Sequence, residues 1–161
     1  MSDPESQIFV CDPGARRRND MDLDGFETSV LTVSRHIFET MERPESQCWM
    51  SAFWYAEQAF PPPFGATIAH ALVIAIDALR TTRLRPFVYL RTSDPLANAS
   101  ITAEERYLVL ALRGVRRGDL ATARLNGLLL CDGSDATALL AALERLAIIT
   151  GDVTETAFQA P

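Results

Sequence analysis

The sequence predicts an all-α fold, an irregular bundle of about five helices that ends in a helical hairpin plus one final helix and begins with a mobile N-terminal arm. Three observations predict it. Apolar residues recur at helical spacing along most of the chain, capping boxes mark helix starts at Asp24 and Thr102, and Pro-rich or Gly-Asp clusters cut the periodic stretches to helix length. A chain of 161 residues suits one domain, and at that size roughly 70% of the unfolded surface can be buried without help from metals or disulfides.

Residues 1–23 hold Asp3, Glu5, Asp12, Asp20 and Asp22, the run Arg16-Arg17-Arg18, and only Ile8, Phe9 and Val10 as consecutive apolar residues. Such a segment buries too little to offset its ordering entropy, so a flexible acidic arm is expected, with Ile8 to Cys11 able to dock as a short strand. A single helical domain is expected over residues 24–151. Its first helix starts at Asp24, whose carboxylate can cap while Glu27 reaches back, and it runs to about Arg43 with Phe26, Val30, Val33, Ile37, Phe38 and Met41 on one side. Pro44 at a first-turn position opens a second helix, which ends at Phe60 against Pro61-Pro62-Pro63. Trp49, Phe53, Ala56 and Phe60 share one stripe of it by spacing, while Trp54 and Tyr55 point elsewhere.

The third helix, Phe64 to about Arg80, is apolar nearly all round and is placed in the middle of the bundle. Its least polar stretch, Ala66 to Ile76, carries His70 and ends at Asp77, short of the roughly 20 apolar residues a membrane span needs. Residues 83–100 read as an irregular connection that packs Phe87 and Tyr89. The capping box Thr102-Ala103-Glu104-Glu105 starts a helix reaching Arg117, Gly118-Asp119 breaks it, and another helix runs from Leu120 to Cys131. After Asp132-Gly133-Ser134 a last helix covers Asp135 to Thr150, closed by Gly151 and followed by a polar tail, residues 152–161.

Charge is distributed in blocks. The chain has fifteen Arg and no Lys, nine of the Arg fall between residues 78 and 131, and the net charge is −6 with an isoelectric point near 4.9. The Lys-free, Ala-rich composition suggests a GC-rich bacterial source. Guanidinium groups fork onto carboxylates or phosphates and stack on rings, so paired or stacked basic contacts are expected. Arg80, Arg83, Arg85 and Arg91 form one group and Arg113, Arg116 and Arg117 another. Three readings fit them: a solvated face with helix-end charge, pairing with an acidic segment of this or a partner protein, or a site for an anionic ligand. Nucleic acid is disfavoured by the acidic isoelectric point and the lack of a groove-reading motif.

Tyr107, Leu110, Ala111, Gly118, Leu120 and Ala123 resemble a single tetratricopeptide unit, a stretch of roughly 30 residues. Gly127 stands where that unit places an aromatic residue, and its terminal Pro is missing. Stacked repeats need about three units, so the pattern is read as a close-packed αα-hairpin and no family is assigned. Cys11, Cys48 and Cys131 are odd in number and far apart, and the polar, acidic first residues do not form a secretory signal, which points to a reducing cytoplasm. His36, His70, Cys48 and Cys131 include no pair at i, i+3 or i+4, so no metal site and no cofactor are expected. His70 and Asp77 share a stripe of the third helix, which reads as a wet face or a polar pair.

No paired catalytic carboxylates, phosphate loop or nucleophile triad stands out, so an enzyme is not expected. The aromatic surplus Trp49, Phe53, Trp54 and Tyr55 suits a homodimer seam or partner groove. The expectation is therefore a non-enzymatic cytoplasmic adaptor or regulator acting through helix-mediated contacts, as a homodimer. Two alternatives are a sensor whose pocket is lined by Trp49, Phe53, His70 and Arg80 and takes an anionic ligand, and a nucleic-acid-associated regulator using the Arg-rich middle.

Overall fold

The computed structural model describes residues 8–15, 17–18 and 21–158, with side chains for 8–15 and 21–151. Among the described residues six α-helices carry the fold: α1 Gly25–Glu42, α2 Cys48–Ala59, α3 Phe64–Thr82, α4 Ala103–Arg117, α5 Leu120–Leu130 and α6 Thr137–Phe158. The capping logic operates at both expected starts. Asp24 accepts from the Glu27 amide while Glu27 accepts from the Asp24 amide, and Thr102 and Glu105 exchange the same pair of bonds at α4. The expected α1 stripe faces inward, with Val30, Val33, Ile37 and Phe38 buried and Phe26 and Met41 packed beside them.

Three boundaries differ from expectation. Pro44–Ser46 forms one 3-10 turn, and Gln47, at φ 57, takes a left-handed conformation that stops this turn from running on into α2. Asp132 and Gly133, at φ 53 and 79, make the turn after α5, and α6 then begins at Thr137. Gly151 does not close α6. The helix continues to Phe158, because Gly151 is not among the left-handed glycines that reverse a chain, whereas Gly118 at φ 71 is one and ends α4. The polar tail expected from residue 152 is thus helical to Phe158, and 159–161 lie outside the described residues.

Part of the N-terminal arm is docked. β1, Phe9–Cys11, lies parallel to β3, Phe87–Tyr89, in the register Phe9 to Phe87, Val10 to Val88 and Cys11 to Tyr89. Phe9 is 2% exposed and stacks on Phe38 at 5.1 Å, and Phe38 meets Phe87 at 4.6 Å. Burying one such ring contributes about 1.5–3 kcal/mol, enough, with the strand hydrogen bonds, to offset the roughly 1–2 kcal/mol per residue of ordering such a short strand. A second small pairing joins β2, Arg17–Arg18, antiparallel to β4, Ser100–Ile101. The expectation of a flexible arm over 1–7, 16 and 19–20 falls outside the described residues.

The helices pack in sequence-local pairs joined by a shared centre. α2 lies on α1 and α3, α5 lies mainly on α4, and α6 joins the two groups by packing on α3 and α4. Glycine permits two close crossings: a Cβ at Gly65 would stand 2.6 Å from Glu57 Cα, and one at Gly114 would stand 2.6 Å from the Ala123 amide nitrogen. Gly114, with Ala111 and Ala123, therefore supplies the small surface the α4–α5 hairpin was expected to need. α3 extends to 19 residues at mean hydropathy 1.3, so by length and composition it is long and apolar enough to cross a membrane. It is nonetheless packed on α1, α2 and α6, in line with the expected central place, while an open stripe of it carries His70, Asp77 and Arg80.

Candidate interaction surface

The Arg groups are engaged, each by different carboxylates. Arg83 is buried, donating through Nη1 to Leu130 O, through Nε to Arg85 O and through Nη2 to Pro86 O, with its guanidinium 5.7 Å from the Phe87 ring. Arg85 is exposed and pairs with Asp132 at 2.7 Å, and Asp132 also accepts from the Leu84 and Arg85 amides. Burial pushes the Asp132 carboxyl up, but those amides and the Arg85 and Arg83 guanidinium groups outweigh it and hold it below the usual range.

At the far end of α4, Arg113 forks onto Glu27 at 2.8 and 2.6 Å, and Arg116 pairs with Asp24 at 3.0 Å while lying 4.4 Å over the Phe26 ring. Glu27 is 1% exposed. Its desolvation is more than offset by the Arg113 bond and the Asp24 amide, so its carboxyl lies below the ordinary value. The two Arg groups do not converge. Glu104, which faces Arg83 at 3.6 Å, and Arg116 are twelve residues apart on one helix, about 18 Å at 1.5 Å per residue. Arg80 pairs with Asp77 on the surface of α3 at 2.8 Å, so Asp77 serves Arg80, while His70 stands exposed on the same stripe. Arg117 is exposed, with no ion pair among the described residues.

Two polar networks escaped the sequence reading because their partners lie far apart along the chain. Arg35, 3% exposed, forks onto Glu105 at 2.8 and 2.9 Å and donates to Ala97 O and Ser100 O, and Glu105 in turn accepts from the Leu90 and Thr102 amides. Around the end of α1, Glu42 accepts from the Tyr89 hydroxyl, Arg91 and the Cys11 amide, while Arg43 pairs with Glu39. Burial raises the Cys11 thiol and the Tyr89 hydroxyl, and Glu42 adds to the rise at Tyr89. These groups are locked to each other, an arrangement that ties β1 and β3 to α1. Among the described residues no three His, Cys, Asp or Glu side chains gather as a metal site.

Among the described residues the aromatic helix presents an open surface. Trp49, Met50 and Trp54 are 54%, 54% and 66% exposed, and Phe53 is half-buried beside them. The stripe expected by spacing is split: Ala56 and Phe60 are buried together with Ala52, Phe53 packs partly buried against the core, and Trp49 is exposed. The left-handed Gln47 makes α2 a separate helix rather than the continuation of a helix from Pro44, and α2 packs on α1 and α3. Tyr55, like Phe53, packs partly buried against the core, and it lies 6.4 Å from the His36 ring, whose pKa burial lowers. Met50 joins the face instead, by its spacing of four from Trp54.

No known family model, curated protein or solved structure matches the chain. The wider cavities have other walls than Trp49, Phe53, His70 and Arg80. One of 300 Å³ lies between Arg83, Arg85, Pro86, Glu104, Tyr107 and Leu129, and one of 400 Å³ between Glu57, Gln58, Pro62, Pro63, Gly65 and Ala66.

Proposed function

We propose that this protein is a non-enzymatic adaptor or regulator of the bacterial cytoplasm that works through helix-mediated protein contacts and associates with itself. The observation that carries the reading is the open face of α2, where two Trp and a Met stand more than half exposed on adjacent turns. Trp, Tyr, Met and Arg are the residue types that interface centres favour, and a Trp at such a centre is among the most costly to remove. The engagement of Arg83, Arg85, Arg113 and Arg116 by internal carboxylates supports the same reading, since groups so held are poor anchors for a phosphate chain. Sedimentation equilibrium of the parent and of Trp54→Glu tests it. The parent is expected to associate, and the variant, altered at an exposed position, to be a monomer with an unchanged far-UV spectrum. A parent that stays monomeric at every concentration overturns self-association.

A further inference from the structure

We infer that the occupant of the α2 face is the α5 face of a second copy of this chain, joined head to tail; the inference rests on the reading of α2 as a docking surface. Among the described residues α5 carries a second large apolar face, with Leu125, Leu128 and Leu129 at 60%, 46% and 42% exposure. The two faces are opposite in charge. α2 has one charged residue, Glu57, with Glu45 exposed just before the helix, and neither takes part in an ion pair among the described residues. α5 also has one, Arg124, with Arg117 exposed at the end of α4, and these likewise have no ion pair among the described residues. Asp119, the acid beside them, is taken up as the α5 cap, accepting from the Thr122 amide and hydroxyl at 3.1 and 2.6 Å.

Among the described residues, each face therefore leaves charge unpaired, of the sign the other lacks. Pairing α2 with α2 would bring acid to acid with no Arg on that helix, and pairing α5 with α5 would bring Arg124 to Arg124. Opposite potentials across an interface favour and steer association, whereas juxtaposed like charges oppose it. The 400 Å³ groove at the C-terminal end of α2 has Glu57 as its one charged wall, the complement for a single guanidinium. Position in the fold agrees: α2 packs on α1 and α3, α5 mainly on α4, so the faces belong to separate parts of the molecule and one contact leaves one of each kind free. Such a heterologous joint extends into a ring or an open chain.

The experiment blocks one face at a time. Trp54→Glu and Leu125→Glu are each expected to be folded monomers, while an equimolar mixture forms a species of two chains, twice 17.8 kDa, because each variant keeps the face the other has lost. Arg124→Glu is expected to weaken parent association on the order of tenfold or more. Monomeric Trp54→Glu beside a Leu125→Glu that assembles like the parent overturns α5 as the occupant and leaves the α2 docking face standing. Two monomeric variants that do not combine, or an Arg124→Glu that associates like the parent, also overturn the inference. A parent that is itself monomeric overturns both readings.

Discussion

Replacing Arg35 and Glu105 separately and together separates two accounts of a buried ion pair. Arg35 and Glu105 are 3% and 0% exposed, and their bidentate contact stands at 2.8 and 2.9 Å. Removing one partner of such a pair strands the other charge and costs about 3–5 kcal/mol. Glu105→Met and Arg35→Met are each expected to fall in that range, a large part of the 5–15 kcal/mol by which a domain of this kind is stable. The double change to Met tests the mechanism. A bare buried pair is often replaced by apolar side chains at little or no cost. Here the pair also serves four backbone groups, Ala97 O, Ser100 O and the Leu90 and Thr102 amides. Each group left unpaired in the interior costs about 1–3 kcal/mol, so the double variant is expected to stay several kcal/mol below the parent. Urea unfolding followed by far-UV circular dichroism measures all three, with thermal midpoints lowered on the order of 10 °C. A double variant as stable as the parent would refute the idea that the pair is kept to satisfy the connection between β3 and α4.

Other expectations concern the crossings, the thiols and acid. Gly65→Ala and Gly114→Ala should each lose about 1–3 kcal/mol by forcing helices apart, since both new methyls meet backbone at 2.6 Å; Gly25→Ala, which meets nothing within 4 Å, should be neutral or gain about 0.4–1 kcal/mol. Cys131 is 0% exposed and burial raises its thiol, so mass spectrometry after iodoacetamide treatment should find it unmodified in the native protein and alkylated once urea unfolds the chain. Burial holds the pKa of His36 down, so unfolding free energy should first decline as pH falls below about 6.5, the unfolded value. A second, larger decline belongs below about pH 4.5, the unfolded carboxylate range. There Asp24, Glu27, Glu42 and Asp132, all held low when folded, take up protons in the unfolded chain first. Arg113→Met should shrink that second decline, and an unchanged titration of stability would contradict the role given to Glu27.

Helix positions were legible because caps and breakers act within a few residues. Asp24 with Glu27, and Thr102 with Glu105, satisfy amides of their own first turn, so the pattern in sequence is already the contact in space. Gly118 stops α4 by its own backbone conformation. Where such a signal depended on neighbours, the reading slipped. Pro44 suggested a continuous second helix, yet the left-handed Gln47 ends a 3-10 turn there and α2 starts anew at Cys48. Gly151 looked like a terminator and is an ordinary helical residue.

By itself the sequence determined the helical class, the approximate extent of each helix, and the expectation that abundant Arg would be paired. It could not choose the partners. Arg35 and Glu105, or Arg113 and Glu27, are separated by 70 and 86 positions, and a charge along the chain carries no record of which distant carboxylate will share its burial. The same holds for exposure. Periodicity places residues on a common face of a helix, but which face turns outward depends on the neighbours that cover the rest. Only the tertiary structure decided that Ala52, Ala56 and Phe60 go in while Trp49, Met50 and Trp54 stay out.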